Sequence, residues 1–356
     1  MGKIHVGVLY GGRSVEHDIS VLSAKNIIQH IDRTKFDVSL LGIDKQGKWF
    51  LVEDISTPID SGSPLSMVLD AGEPYLFSET GELQLDVVFP VLHGTDGEDG
   101  AVQGLLQTLS IAYVGSGVLG SAVSMDKVLA KRVLLSAGLP VAKFKAYYHH
   151  QQSDINFKEI ANQLGLPFII KPANLGSSVG VAKIIAEEGF ANALTEAFRY
   201  DQQILIEEFI DGREVECAIL GNDHPIASVA GEIVLSDKYE FYSFTAKYED
   251  PEAANITIPA ELTESVHDTI KKLSLKAFQL LNCHDLSRVD LFVQQNGRVL
   301  INEINTLPGF TNISMYPSLI QNEGITYQEL ITKLISMAFD RYKRDMRLTT
   351  NFESRL

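Results

Sequence analysis

The sequence is poor in cysteine, and this scarcity limits the classes of protein it can represent. Its 356 residues include only Cys217 and Cys283, too few for a disulfide framework and without the paired spacing of a zinc site. Reduced thiols are typical of a cytoplasmic protein. The amino terminus enters the strand-like run IHVGVLYGG with no basic segment ahead of an apolar one, so we expect no signal peptide.

The chain also lacks positive charge and long apolar runs. Lys and Arg total 30 against 46 Asp and Glu, a formal net charge of −16. Such a surface repels phosphate backbones, so we expect no nucleic-acid partner. No apolar stretch approaches the length of a membrane span, so we expect no membrane partner. The same charge repels ATP, and a nucleotide site would have to be locally basic or use metal ions.

Two common nucleotide-binding motifs are absent from the sequence. The phosphate loop G-x-x-x-x-G-K-[ST] occurs nowhere, and Gly11-Gly12 after the first strand lacks the spacing G-x-G-x-x-G. A dinucleotide-dependent enzyme, which the first strand alone would allow, is therefore disfavoured.

Alternation of strands and helices early in the chain is typical of a parallel α/β unit, whose ligands lie beyond the carboxyl ends of the strands. We expect residues 52–82 to be irregular and the stretch SAVSMDKVLAKRVLLSAG to form one helix. Strands lengthen after residue 212, and a long polar loop spans 236–255. The predicted domains are an amino-terminal α/β domain over 1–117, a central subdomain over 118–211 and a carboxyl-terminal subdomain over 212–356.

The segment RVDLFVQQNGRVLINEIN, residues 288–305, predicts a β-hairpin with two acids on one face. Asn296-Gly297 indicates a two-residue type I′ turn, which pairs Asp290 with Glu303 and Arg288 with Asn305. Alternation places these four side chains on one face. The other face is then apolar and comprises Val289, Leu291, Val293, Leu300 and Ile304.

Facing carboxylates repel each other, so the predicted pair needs compensation. One interpretation is a solvated face on which Arg288 shields both acids. The other is a hard divalent cation held by Asp290, Glu303 and Asn305, because all-oxygen ligands favour Mg²⁺. The apolar opposite face and the glycine-containing run that follows favour the metal site.

The stretch KPANLGSSVGV combines a strand-end lysine with a flexible, hydroxyl-rich loop. Glycines let the backbone approach a phosphate, while Lys171 supplies charge and Ser177 and Ser178 supply hydroxyl donors. A tight turn with incidental serines is the plainer alternative. Lys127 is a second cation candidate, although an exposed helix lysine would explain it alone. Glu207 and Glu214 could bond an adenine amino group and a ribose hydroxyl.

In this order, these segments resemble the D-alanine–D-alanine ligase family of the ATP-grasp superfamily, over nearly the whole chain. The resemblance implies a three-domain α/β and α+β fold, with nucleotide bound between the central and carboxyl-terminal domains and the loop 236–255 as a lid. The matching segments are GGRSVEHDIS, HGTDGEDGAVQG, SMDK, KPANLGSSVGV, IEEFIDGREVE, FYSFTAKY, RVDLF and NEINTLPGFTNISMYP.

The resemblance also implies roles for individual residues. For ATP it implies Lys127, Lys171, Lys247 and Ser178 at the phosphates, Glu207 and Ile210 at adenine, and Glu214 at ribose. For two Mg²⁺ or Mn²⁺ ions it implies Asp290, Glu303 and Asn305. For the two D-alanines it implies Glu16, Ser177, Tyr248 and His93 at the first, Ser314 and Met315 at the second, and Arg288 and Gly309 as oxyanion stabilisers.

The implied reaction has two steps: the carboxylate of one D-alanine takes the γ-phosphoryl group of ATP, and the amine of a second attacks the acyl phosphate. The product is a peptidoglycan precursor, and the family is usually dimeric through its amino-terminal domain. Alternatives are a ligase of the same fold that uses D-serine or D-lactate second, or a non-catalytic nucleotide-binding protein. Loss of Asp290, Glu303, Lys127 or Lys171 would indicate the latter, and none is lost.

Tyr248 generates a first prediction, because ester-forming relatives lack this tyrosine while this chain retains it. Tyr248→Phe should raise the yield of D-alanyl-D-lactate relative to dipeptide when D-lactate and D-alanine compete. Phe244 stands where many members carry a second tyrosine, so Phe244→Tyr is the matched control. Product ratios unchanged in Tyr248→Phe would contradict the assignment.

Overall fold

The computed structural model describes residues 2–68, 75–235 and 254–349. Most of the predicted lid, including Lys247 and Tyr248, lies outside these residues. The described strands form four sheets, of which the first has parallel pairs at its centre and the other three are antiparallel. No helix among the described residues combines the length and the apolar character needed to cross a bilayer.

The amino-terminal sheet has a parallel centre and an antiparallel edge. Strand β1 pairs in parallel with β2 and β8, β8 pairs in parallel with β9, and β3 and β4 add antiparallel strands beside β2. Helix α1, His17–His30, packs on β1, and α2 is Ala101–Thr108. The strands are β1 Ile4–Gly11, β2 Phe36–Ile43, β3 Trp49–Val52, β4 Ser63–Pro64, β8 Val87–Pro90 and β9 Ala112–Tyr113.

A small antiparallel sheet corrects the expectation that residues 52–82 are irregular. It contains β5 Ser66–Val68, β6 Tyr75–Ser78 and β7 Gly81–Leu83. Leu76 is buried, and Met67 and Leu83 pack against the cluster around it. Each strand is too short to show a clear period of two in the sequence, which is why the pattern missed them.

Two helices replace the single helix predicted after residue 120: α3 Val118–Met125 and α4 Lys127–Ser136. Asp126 lies between them with extended backbone, and its carboxylate accepts hydrogen bonds from the N–H groups of Val128 and Leu129. Aspartate is a favoured N-cap because it satisfies amide groups that a starting helix leaves unpaired. The break places Lys127 at the first position of α4.

The middle sheet has the order β10-β13-β11-β12 and is antiparallel throughout. Helices α5, Phe157–Leu164, and α6, Phe190–Tyr200, pack their apolar sides on it. The strands are β10 Phe144–Tyr148, β11 Phe168–Pro172, β12 Ala182–Ile184 and β13 Gln203–Glu208.

The carboxyl-terminal sheet, in the order β16-β15-β14-β17-β18, carries helix α7, Glu264–Leu280, on one face. Helix α8, Met315–Asn322, packs on β14 and β15, and α9, Tyr327–Asp345, returns to the amino-terminal sheet. Arg341 of α9 donates to the Tyr113 carbonyl at 2.5 Å. The strands are β14 Arg213–Leu220, β15 Ile226–Leu235, β16 Ala254–Thr257, β17 Leu286–Val293 and β18 Val299–Asn305.

The β17–β18 hairpin confirms the pairing of Asp290 with Glu303 but not the predicted turn. Val293 pairs with Val299, and the register shifts by one residue between Asp290 and Leu291. The connection is wider than two residues, and only Gly297 of the pair Asn296-Gly297 has a positive φ, at 79°. An extra residue in β18, Asn302, restores the predicted register beyond the shift.

This shift moves one residue predicted for the apolar face. Leu300 packs with Ile210 and Phe292 on the side of the acids, whereas Val299 and Ile301 join Val289 in the core beneath α7. A one-residue slip reverses the face of every side chain it affects, which explains the exchange.

Candidate active site

A cavity of about 920 Å³ lies where the amino-terminal, middle and carboxyl-terminal sheets meet. This volume is in the range of sites that bind cofactors and small molecules. Helix α1 lines one end and the start of α8 another. The predicted residues that line the cavity are Lys127, Lys171, Ser177, Ser178, Glu207, Ile210, Glu214, Arg288, Asp290, Glu303, Gly309, Ser314 and Met315.

Glu16 and Ser177 join the amino-terminal part to the loop between β11 and β12. The Ser177 hydroxyl donates to Glu16 Oε1, and Glu16, just before α1, is 8% exposed. Ser177 and Ser178 have φ angles of 52° and 58°, a conformation uncommon for residues with a side chain and concentrated at functional sites. A Cβ on Gly94 would lie 2.7 Å from Glu16 Oε2, so a glycine there gives the carboxylate room.

His93 is buried behind the cavity and connects α1 to the segment after β18. Its Nδ1 lies 3.0 Å from the Leu307 carbonyl, so Nδ1 carries the proton, and Nε2 can accept from the Ser23 hydroxyl at 3.1 Å. Burial lowers the pKa of His93, which favours the neutral ring. Both ring nitrogens of His93 contact other residues of the protein. Its predicted proximity to the first substrate therefore stays a prediction.

Glu98 makes a second connection to the same segment. Its carboxylate accepts from the Gly94 N–H at 2.8 Å and from the Leu307 N–H at 3.2 Å. Burial, reinforced by the charge of Glu16, raises the pKa of Glu98 to about 8. The group therefore binds a proton more tightly in the folded protein than in the unfolded chain.

Three buried charges form a chain at the base of the cavity. Glu207 lies between two lysines: its Oε1 contacts Lys171, and its Oε2 lies 3.1 Å from Lys131 Nζ. Burial opposes the charge of Glu207, but the two ammonium groups outweigh it and lower its pKa. Burial likewise opposes the charge of Lys171, and Glu207 and Glu303 reverse this and raise its pKa. Glu207, which the resemblance places at adenine, thus also holds Lys171 and Lys131.

Lys127 reaches the cavity from the first turn of α4. Its Nζ donates to the Leu175 carbonyl at 2.9 Å and lies 3.4 Å from Glu303 Oε2. The lysine side chain is 10% exposed, so it is not the exposed helix lysine of the alternative interpretation. The Asp126 cap fixes the helix start and thereby the direction from which this ammonium approaches.

Three carboxylates lie in a row across adjacent strands. Glu216 of β14 pairs with Asp290 of β17, which pairs with Glu303 of β18. Arg288 neutralises the centre: its Nε and Nη2 each donate to Asp290 at 2.7 Å, and Nε lies 2.8 Å from Glu216 Oε2. The Asn305 amide also donates to Asp290, at 3.0 Å. Cations of the chain therefore compensate the facing acids, as the first interpretation expects, and the metal site stays a prediction.

An apolar surface adjoins these charges. Ile210, Leu300 and Phe292 pack together, and Glu214 lies opposite Phe292 on the neighbouring strand. Lys183 Nζ lies 4.4 Å from the centre of the Phe209 ring. A planar apolar group could lie against this surface with a carboxylate at its edge, an arrangement that suits a nucleoside.

The opposite end of the cavity is the start of α8. Ser314 is the N-cap residue, and its hydroxyl bonds Thr311 rather than an amide of the first helical turn. The N–H groups of Met315 and Tyr316 can therefore face an anion. Gly309 approaches closely, since a Cβ there would lie 3.0 Å from Ser314 Oγ.

Several residues that line the cavity or lie next to it escaped the sequence analysis. Lys131 lies four residues after Lys127 and Glu216 two after Glu214, so helical and strand periodicity could have indicated both. Asn302 faces the cavity only because of the register shift, and its Oδ1 accepts from Lys171 at 3.3 Å. No local pattern predicts that contact, nor the positions of Glu98 and Lys183.

This architecture, with two antiparallel sheets around a lysine-lined cavity beside a parallel-centred sheet, defines an ATP-grasp ligase. Solved structures agree. The D-alanine–D-alanine ligase from Coxiella burnetii superposes with a TM-score of 0.88 at 37% identity, covering 98% of this chain and 97% of that one. The VanG D-Ala:D-Ser ligase from Enterococcus faecalis has a TM-score of 0.86 at 32% identity, covering 95% and 100%.

Sequence comparisons identify the family within this class. Residues 5–116 match the family model for the D-ala D-ala ligase N-terminus, and residues 133–336 match the model for its C-terminus. The D-alanine–D-alanine ligase of Shouchella clausii (strain KSM-K16) is 48% identical over 99% of both chains. The chain belongs to the D-alanine–D-alanine ligase family, and the resemblance read from its motifs is confirmed.

Glu98 generates a prediction about stability and pH. Its folded-state pKa of about 8 exceeds the ordinary value of 4.5, so its contribution to the free energy of unfolding is full below pH 4.5 and is lost as the pH rises through 8. Glu98→Gln should remove this slope, which is at most about 1.4 kcal/mol per pH unit. Denaturant unfolding at pH 5, 6, 7 and 8 measures it.

The control for this measurement is Glu79→Gln, at an exposed position. It should retain the wild-type slope between pH 5 and 8. Equal slopes in wild type and Glu98→Gln would show that Glu98 titrates as it does in the unfolded chain.

Proposed function

We propose that this protein joins two D-alanine molecules to D-alanyl-D-alanine, with cleavage of ATP to ADP and phosphate, for peptidoglycan precursor synthesis. One observation carries the proposal: a single cavity contains the lysines, the row of acids and the free start of α8, and the Glu16–Ser177 pair closes one side of it. An aminoacyl ligase needs these sites for phosphate, ammonium and carboxylate within one space.

In this proposal ATP lies between the middle and carboxyl-terminal sheets. Adenine packs on the apolar surface that includes Ile210, near Glu207, and ribose bonds Glu214. Lys127, Lys171 and Ser178 bind the phosphates, together with Lys247. Glu303 holds Lys127 and Glu207 holds Lys171 in the present structure, so the phosphates would compete with carboxylates for these two ammonium groups, which are already directed into the cavity.

The oxygen donors at the row of acids fit two Mg²⁺ or Mn²⁺ ions. Asp290, Glu303 and Asn305 would hold them, and the ions would neutralise charge on the phosphates. Among the described residues no three His, Cys, Asp or Glu side chains cluster to hold an ion unaided. Two carboxylates and one amide fit a hard cation that takes its remaining ligands from phosphate and water.

The first step positions one D-alanine beside Glu16. The Glu16 carboxylate binds its ammonium group, and Ser177, with Tyr248, orients that carboxylate. The substrate carboxylate then attacks the γ-phosphoryl group, and Lys127 and Lys171 stabilise charge on the transferring group by position and electrostatics. The product is D-alanyl phosphate, which must be kept from water.

The second step places another D-alanine at the start of α8. Its carboxylate binds at Ser314 and Met315, where the N–H groups of the first helical turn and the helix dipole favour an anion. Its amine attacks the acyl phosphate, and Arg288 and the backbone N–H of Gly309 stabilise the oxyanion. Collapse of that intermediate releases phosphate and the dipeptide.

A second candidate function uses D-serine or D-lactate in place of the second D-alanine. The likeness to the D-Ala:D-Ser ligase favours keeping D-serine as an alternative. D-serine differs from D-alanine only by a hydroxyl group, which a pocket of this size does not strongly reject.

The proposal extends to the cellular setting. We place the protein in the cytoplasm, where the free and buried Cys217 and Cys283 would stay reduced, and where D-alanine and ATP are its partners. A homodimer through the amino-terminal domain completes the proposal.

Phosphate release from ATP tests the substrates directly. We expect release with D-alanine, none above background with L-alanine, and dipeptide as the main product when D-alanine is offered with D-serine or D-lactate. Mass spectrometry identifies the product. Release with L-amino acids alone would overturn the proposed stereochemistry, and D-alanyl-D-serine as the main product would favour the alternative.

Glu303→Gln tests the metal site. The neutral amide keeps the shape of the side chain but removes the charge, so turnover should fall at least ~10³-fold because the phosphates lose their bridging cation. Thermal unfolding should stay cooperative, and Mn²⁺ binding in the presence of ADP, followed by electron paramagnetic resonance, should weaken. Near-normal turnover would remove the metal role from Glu303.

A further inference from the structure

Glu216 is a buried acid that the proposed reaction leaves without a task. It lies on β14, directly opposite Asp290, and is 8% exposed. Its Oε2 is 2.8 Å from Arg288 Nε. A carboxylate removed from water is costly unless a cation neutralises it, so its presence in the wall of the cavity needs an explanation.

Arg288 and the proposed metal ions compete for the carboxylate of Asp290. In the present structure both its oxygens accept from Arg288 in a bidentate pair. The proposed ions need oxygens of the same carboxylate. An ion at Asp290 therefore weakens its hold on Arg288 at the stage when the guanidinium must stabilise a developing oxyanion.

We propose that Glu216 is a positioning residue, which holds Arg288 toward the reacting carbonyl when Asp290 turns to the metal ions. The inference rests on the proposed function. Glu216 would then act through Arg288 alone and would not touch substrate or ion.

The geometry around Arg288 would allow its guanidinium to turn from Asp290 to Glu216. Directly opposite Arg288 on β14 stands Ala218, whose small side chain leaves space for the guanidinium beside the strand. Glu216 lies diagonal to Arg288, two residues from Ala218 along β14, where it pairs with Asp290. Nε can therefore pass from Asp290 to Glu216 by a small rotation, because it is already 2.7 Å from one and 2.8 Å from the other.

The charges support the same conclusion. Burial acts against the charge of Arg288, and Asp290 and Glu216 compensate it at 2.7 and 2.8 Å. With Asp290 and Glu303 committed to ions, Glu216 is the carboxylate of this row that remains for Arg288. A buried guanidinium without such a partner would lose both its orientation and its compensation.

The test compares Glu216→Gln with a matched loss of charge in the same sheet. Glu232 of β15 holds Arg213 by a bidentate pair, at 2.6 and 2.5 Å, as Asp290 holds Arg288, and Glu232→Gln is the control. In Glu216→Gln, kcat should fall ~10-fold or more, with KM for ATP within about threefold, because the ion pair that would hold Arg288 is lost. Glu216→Asp should recover part of kcat, and Glu232→Gln should keep kcat within about threefold.

Binding measurements separate this role from the others. Mn²⁺ affinity in the presence of ADP, from electron paramagnetic resonance, should match the wild type in Glu216→Gln. A loss of Mn²⁺ affinity would make Glu216 a metal ligand and overturn the proposal. A wild-type kcat in Glu216→Gln would also overturn the proposal. Equal losses of kcat in Glu216→Gln and Glu232→Gln would do the same, because they would reflect the charge of the cavity alone.

The wild type, assayed first, distinguishes failure of the inference from failure of the function. A wild type that forms no dipeptide from D-alanine and ATP would remove the proposed function. An active wild type with an equally active Glu216→Gln would remove only the positioning role.

Discussion

Repulsion between neighbouring carboxylates is the constraint on which the cavity depends. Glu216, Asp290 and Glu303 occupy adjacent strands in register, where like charges a few ångströms apart interact by about 4 kcal/mol at an effective dielectric constant of 20. Cations of the chain offset this repulsion, Arg288 from within the row and Lys127 from α4. An acidic protein thereby gains a cavity whose lysines and arginine lie where the proposed nucleotide phosphates and metal ions would replace the internal partners.

The cavity exists only because distant segments are tied together at its edges. Ser177 reaches Glu16 across 161 residues of chain, and His93 reaches the Leu307 carbonyl across 214. The Phe310 carbonyl accepts from Asn26 of α1 and from Tyr327 of α9. These polar contacts hold the Glu16 end of the cavity against the start of α8. In the proposed reaction, the acyl phosphate would form between these two ends.

Two local devices set the approach of the charged groups. Asp126 ends one helix and caps the next, which places Lys127 in a first turn, where its ammonium points into the cavity. The extra residue in β18 turns Asn302 toward Lys171 and moves Leu300 beside Ile210. In both cases one residue decides which side chains line the cavity, because helices and strands present their faces with fixed periods.

The sequence alone determined the α/β class, most helices and strands, the pairing of Asp290 with Glu303 and the family, since these follow from periodicity, turn residues and ordered motifs. It did not determine the hairpin turn, the split between α3 and α4, or the small sheet of β5–β7. The tertiary structure decided that Glu207 holds two lysines, that Glu216 joins the row of acids and that His93 and Glu98 bind the segment around Leu307. Contacts between residues far apart in the chain depend on how whole elements pack, and no local pattern encodes that.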